Sequence, residues 1–366
     1  MPVNSKNEKI KRKYFKWLKE ATGLAESTIC AVEKAIWLYE DFTKHEDFNR
    51  FNQNRAVGLK KWLQKRTYRG KAISIATVHH DLRHLKSFFV WLSGQPGYKS
   101  KISVDSVSYL SLEKKKVREA TASKQVRYPS LEYIRKLADS IEIKTEIDRR
   151  DRALIAFLLL SGMRDKAVST LPLGCFDSQT LKIRQDPSEG VDTKFGKSFV
   201  TVLFRFDDTL VEHVVKWTEY LVQTKVFAPT DPLFPRSKLE QIEDGFTFVS
   251  REVEPVYWRG TGSIRKVLIS RSAKAGLEYY HPHSFRHTAV SLAMKHCRNA
   301  EEIKAVSQNF GHEHVGTTMM TYGTLDSFRV GEVIWGIDFS AGPGKADRNE
   351  IIDEVQRQLE KLKKNS

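Results

Sequence analysis

Four stretches within the first hundred residues repeat apolar side chains at the spacing of an α-helix. They are Ile10, Tyr14, Trp17 and Leu18; Ile29, Val32, Ile36 and Tyr39; Leu59, Trp62 and Leu63; and Val78, Leu82, Leu85, Phe89 and Leu92. Each set falls on one face of a 3.6-residue helix, which predicts a small domain of four or five helices around an apolar core. Gly94-Gln-Pro-Gly97 ends the last of them. From there to Pro129 the chain is charged, includes Lys114-Lys115-Lys116, and reads as an irregular connection.

The second half begins with Ser130 as cap of a helix bearing Leu131, Ile134 and Leu137. Residues 151–161 (DRALIAFLLLS) are too apolar for a surface helix and predict a buried one, ending in Gly162-Met163-Arg164. Short runs at 181–183 and 199–204 read as strands, with Lys194 and Lys197 in the turn between them. Leu210, Val214, Trp217 and Leu221 mark another helix. Residues 228–262, rich in Pro, Gly and aromatics, read as a loop or insertion without an assigned role. Further helices are expected at 264–275, 288–296 and 301–308. Past Gly342-Pro343-Gly344, Ile352, Val355, Leu359 and Leu362 line one face of a last helix. The expected fold class is mainly α with a small β-sheet, an α+β second domain behind an all-α first one.

Charge sharpens this division. The chain of 366 residues carries a formal net charge of +16 and a pI of about 9.6, which points to a polyanionic partner. Residues 1–126 hold 26 Lys and Arg against 12 Asp and Glu; the remainder holds 35 against 33. The first half has the balance of a nucleic-acid clamp, the second that of an enzyme whose few cations are placed one by one. His79, Arg83 and Lys86 share a face of the fourth helix and are candidate DNA contacts, with plain surface as the alternative. The three cysteines, Cys30, Cys175 and Cys297, form no CxxC pair, which argues against a disulfide framework or a zinc–cysteine site and fits a reducing compartment. No apolar run reaches the roughly 18 residues of a membrane span, so a soluble, cytoplasmic protein is expected.

The chemistry is concentrated at 281–322, HPHSFRHTAVSLAMKHCRNAEEIKAVSQNFGHEHVGTTMMTY. Here His283 and Arg286 form an HxxR, Gly311-His312 follows after a helix, and Tyr322 comes last. Arginine clamps phosphate oxygens, histidine donates to them or moves a proton, and a tyrosine phenolate can attack phosphorus. A second HxxR, His80 to Arg83, has no Gly-His and tyrosine behind it and reads as helix surface. His283 and His287 also stand four apart, as in a zinc hydrolase. The glutamate of HExxH is replaced by Ser284, however, and no third ligand is evident.

The ordered set resembles the tyrosine recombinase (phage integrase) family, in detail over the second half of the chain and in outline over the first. Carried over residue by residue, the resemblance implies a catalytic set of Arg164, Lys194, His283, Arg286, His312 and Tyr322, with Lys197 as the rival of Lys194. Ala167 stands where the family often has an acid, with Asp165 as a neighbouring carboxylate, and Phe310 replaces a common leucine. The resemblance implies an N-terminal core-binding domain (1–112), a linker (113–128), a catalytic domain (129–345) and a C-terminal helix (346–366) docking in trans. It implies double-stranded DNA as partner, a tetramer on two duplexes, accessory DNA-bending or directionality proteins, and association with the nucleoid. The expected activity is DNA strand cleavage and rejoining through a 3′-phosphotyrosine, without metal or cofactor, for a phage or other mobile element. The alternatives are a type IB topoisomerase-like enzyme and a DNA-binding regulator without chemistry.

Overall fold

The computed structural model describes residues 4–122, 127–241, 248–249, 251–297, 299–312 and 316. Two units separate by their internal contacts, 1–124 and 125–366.

In the first unit the expected helices are α1 (Ser5–Glu20), α2 (Glu26–Thr43), α3 (Gln53–Lys65) and, after the short strands β1 (Thr67–Tyr68) and β2 (Lys71–Ala72), α4 (Ile75–Ser93). The apolar stripe of α4 is buried throughout, and Phe89 stacks on Phe51 at 4.0 Å and meets Tyr39 edge-on at 4.9 Å. A charged group also lies inside: Lys11 donates to Glu40 at 2.7 Å, and Asn7 donates to the carbonyl of Glu46 while accepting from the amide of Phe48. Paired in this way, those groups avoid the penalty of an unsatisfied buried charge.

The segment after Gly97 differs from the irregular connection expected. It forms α5 (Val104–Ser108) and α6 (Lys114–Thr121), and both helices pack on α4. Ile102, Val107, Leu110 and Leu112 enter the same core. These apolar residues are diluted by lysines and serines, so their shared face emerges only once α4 is there to receive it.

The second unit is built around α8 (Glu146–Ser161), buried without a break from Ala153 to Ser161. Thr145 and Asp148 form a capping box at its start, which fixes where it begins. Three helices pack on it: α7 (Leu131–Asp139), α10 (Asp208–Glu219) and α12 (Pro282–His296). The short α9 (Asp165–Ser169) follows α8 directly. A three-stranded antiparallel sheet, β3 (Phe176–Asp177), β4 (Lys182–Gln185) and β5 (Phe199–Val202), stands in that order. β4 and β5 pair in register, Ile183 with Thr201 and Gln185 with Phe199.

Residues 228–262 contribute more than a loop. They carry the antiparallel pairs β6 (Arg236–Ser237) with β9 (Val253–Glu254), and β7 (Glu240–Gln241) with β8 (Phe248–Val249). Leu233, Phe234, Val253 and Trp258 are buried in the main core. Arg150 donates to the carbonyl of Pro235 and to Ser237 Oγ, both at 3.0 Å, tying the segment to α8. The same buried network reaches α11 (Gly262–Lys274), where Arg271 bonds Asp151 and Asp148 at 2.8 Å each. The last described helix is α13 (Ala300–Asn309). Among the described residues no helix is long and apolar enough to cross a membrane.

Candidate active site

Arg286 lies in the first turns of α12 and is almost completely buried, at 3% exposure. Its guanidinium donates to the carbonyl of Gly162 at 2.7 Å and to that of Phe310 at 2.8 Å, and stacks 5.0 Å from the Phe310 ring. Those two carbonyls belong to the C-terminal cap of α8 and the C-terminal cap of α13. One cation therefore joins three helix ends and is itself immobilised by them, as a preorganised oxyanion donor needs to be.

The local sequence allows this close approach. Gly162 adopts the left-handed conformation at φ 54°, and a Cβ there would lie 2.3 Å from the Phe310 ring. Gly311 has φ 66°, and a Cβ would lie 2.5 Å from the ring of Phe199. Phe310 fills the space beside Gly162 and is 1% exposed, so the aromatic in place of leucine has a packing role.

Arg286 also bonds His312, Nη2 to Nε2, at 2.8 Å. A guanidinium can only donate, so Nε2 accepts and the imidazole carries its proton on Nδ1. The electrostatics agree. The pKa of His312 falls to about 4, first through burial and then through the charges of Arg286, Arg164 and Lys194. His312 is thus a neutral donor at physiological pH. Arg164 and Lys194 are both near enough to the His312 ring for their charges to act on it.

Arg164 is half-buried and is the N-cap residue of α9, directly after the rigid end of α8. Lys194 is exposed in a tight turn, Lys194–Gly196, on the β4–β5 connection, its ammonium 4.8 Å from the Phe195 ring. Lys197 ends that turn, and Lys194 is among the charges that lower the pKa of His312. His283 is exposed at the start of α12. Its pKa is lowered by desolvation first, then by Arg286, while the Asp165 carboxylate opposes the shift. Asp165 itself faces Arg265 at 3.8 Å. His287 stands behind His283 with perpendicular rings 5.1 Å apart, and its pKa is lowered to about 4 by burial and by His283 and Arg286.

Sequence reasoning missed Asn309. Its side-chain amide pairs with the edge of β5 like another strand, accepting from Val202 N at 2.7 Å and donating to Val202 O at 2.9 Å. Thr201 Oγ1 donates to the carbonyl of Asn309 at 2.8 Å and accepts from Gln185 at 2.7 Å. This latch fixes the end of α13, and hence Gly311-His312, to the strands whose connection carries Lys194. An asparagine at a helix C-terminus is the one signal the sequence offered, and it ordinarily means a cap.

Of the candidate DNA contacts, Arg83 is exposed and His79 half-buried, while Lys86 donates to Ser111 Oγ at 3.2 Å within its own unit. His80 is exposed and pairs with His84, Nε2 to Nε2, at 2.8 Å. Tyr322 and the C-terminal stripe from Ile352 to Leu362 lie outside the described residues.

A sequence model described as the phage integrase family matches residues 132–327. No curated protein matches the chain. Several solved structures share its fold. A lambda integrase dimer bound to a COC′ core site is 12% identical with a TM-score of 0.58, covering 86% of this chain and 94% of that one. The Tn1549 transposon integrase in complex with transposon right end DNA is 14% identical at 0.57, covering 89% and 98%. The XerH site-specific recombinase bound to difH substrate is 17% identical at 0.55, covering 88% and 83%.

Proposed function

We propose that this chain, which belongs to the phage integrase family, is a site-specific DNA recombinase whose cluster around Arg286 performs strand transfer. The observation that carries the reading is the immobilised Arg286, hydrogen-bonded to His312, with the charges of Arg164 and Lys194 acting on the same imidazole.

In the first step the Tyr322 oxygen attacks phosphorus and the bond from phosphorus to the 5′ oxygen breaks. The phenolic proton passes to His283, which is neutral at physiological pH because its pKa is depressed. Lys194 gives a proton to the departing 5′ oxygen, leaving a free 5′-hydroxyl and a 3′-phosphotyrosine. Arg164 and Arg286 stabilise the charge of the pentacoordinate state, and the Nδ1 proton of His312 donates to a non-bridging oxygen. In the second step a 5′-hydroxyl of the other strand attacks the phosphotyrosine. Its proton returns to Lys194, the phenolate leaves, and His283 reprotonates it. One phosphodiester replaces another, so the cycle balances without ATP.

Residues 1–124 supply the clamp on the duplex, and 125–345 the chemistry. Four copies act on two duplexes, and residues 346–366 dock on a neighbouring copy through Ile352, Val355, Leu359 and Leu362, exchanging a terminal segment around a closed ring. Double-stranded DNA is the substrate, the host is a mobile element, and the protein works on DNA in the nucleoid with accessory bending or directionality proteins. A nicked suicide substrate tests the nucleophile. Wild type should accumulate a covalent protein–DNA adduct that Tyr322→Phe abolishes while still binding DNA. Adduct formed by the phenylalanine variant would move the nucleophile to another tyrosine.

A further inference from the structure

The hairpin between α3 and α4 stands outside the core of its own unit. Residues 67–72 are all exposed, with Tyr68 at 68%. Both ends of the hairpin are nevertheless fixed. Arg66 caps the end of α3, Ile73 N bonds the carbonyl of Arg66 at 3.2 Å, and Ser74 caps α4 by accepting from Thr77 N. A short, rigidly mounted projection has side chains available for something outside the fold.

Its charge indicates what. Between Asp47 and Asp81 the chain holds eight Lys and Arg and no Asp or Glu, three of them in or beside this hairpin: Arg66, Arg69 and Lys71. The tip residues Arg69 and Gly70 both have positive φ, 50° and 74°, as in the two-residue turn of a tight hairpin. Glycine and asparagine suit the first of those places; arginine does not. A residue held in an unfavourable backbone region on the surface points to a use for its side chain. The Arg69 guanidinium lies 5.4 Å from the Tyr68 ring and that of Arg66 lies 5.0 Å from Trp62. Such stacking orders both cations before any partner arrives, which lowers the entropy lost on binding. Tyr68 and Lys71 are direct cross-strand partners and share a face.

We infer that the β1–β2 hairpin is a minor-groove probe, with Arg69 entering the groove and Lys71 resting on the flanking phosphate backbone. The inference rests on the DNA-recombinase reading above. A ribbon of two residues per strand is too short to lie along a major groove and present several side chains to base edges. A single arginine at a tip fits the narrow minor groove, about 6 Å wide, whose negative potential is greatest over A·T tracts. The hairpin thus adds a composition preference to a clamp that otherwise binds the backbone.

Arg69→Asn provides the test, because asparagine tolerates the turn and removes the cation. Full-length protein is titrated by fluorescence anisotropy onto A·T, I·C and G·C duplexes of equal length; inosine lacks the minor-groove amino group of guanine. Wild type should bind A·T and I·C duplexes more tightly than G·C. Arg69→Asn should bind the A·T duplex on the order of ten-fold more weakly, lose the preference, and melt no lower than wild type. Lys71→Ala should weaken all three equally and lower the salt slope by about 0.9. An Arg69→Asn variant that binds like wild type, or that loses equally on all three duplexes, overturns the groove assignment. A wild type that binds none of them overturns the DNA reading itself.

Discussion

The two units hold their cations in opposite ways. In the first unit the positive charge lies mostly at the surface and is redundant: α6 presents Lys114 and Lys115 to solvent, with Lys116 reaching back to Gln64 at 2.8 Å. In the second, Arg286 is buried and held in place, fixed by two carbonyls and an imidazole. Surface charge draws in a polyanion at long range and is screened by salt. A buried, fully bonded guanidinium adds little to encounter but cannot move when charge develops in front of it. The difference implies that affinity and rate can be separated by mutation.

The largest separation is expected at Lys194. Removing a general acid typically costs about 10²–10⁴ in rate, so Lys194→Ala should cleave slowly while binding almost normally. A 5′-phosphorothiolate substrate, whose leaving group needs no proton, should restore its cleavage in single-turnover assays. Restoration of Lys197→Ala instead would hand the role to the second lysine of the turn.

A smaller effect is expected where packing, not chemistry, holds the site. Gly311→Ala places a Cβ 2.5 Å from the Phe199 ring at a positive φ. Some 1–3 kcal/mol of destabilisation should follow, read as a lower midpoint in urea, together with slower cleavage as His312 shifts. A variant as stable and as fast as wild type would show that the ring moves aside freely.

The buried histidines add a pH dependence. His312 and His287 have folded pKa values near 4, below the ordinary histidine value. Between about pH 6.5 and that value the unfolded chain binds protons that the folded one does not, so stability falls as pH falls through this window. Unfolding curves for wild type and His312→Gln should converge toward pH 4, because the substitution removes one such site. Parallel curves would mean that His312 is not held neutral. In the first unit, by contrast, Lys114→Ala with Lys115→Ala should flatten the salt dependence of binding by about 0.9 per lost phosphate contact and leave cleavage at saturation unchanged.

The same contrast explains what the sequence disclosed. α4 announces itself because burial on one face dictates an apolar stripe, and α8 because burial on every side leaves an unbroken apolar run. The HxxR and Gly-His were legible because their chemistry allows few substitutes. Asn309 was not, since its pairing with β5 needs a strand more than a hundred residues away. Nor were α5, α6 and the β1–β2 hairpin, whose apolar residues are sparse and whose shape depends on the helices beside them. Residues 228–262 looked like a loop because the group that seats them, Arg150 on α8, is distant in sequence.

Arg286→Lys offers the most direct test of the central claim that one immobilised guanidinium organises the strand-transfer site. Lysine keeps the charge but lacks the fork that reaches Gly162, Phe310 and His312 together. Cleavage of a suicide substrate at saturating protein, measured beside equilibrium binding, should fall by at least about 10² while affinity stays within a few-fold of wild type. Cleavage within a few-fold of wild type, or rate and affinity falling together, would contradict the account.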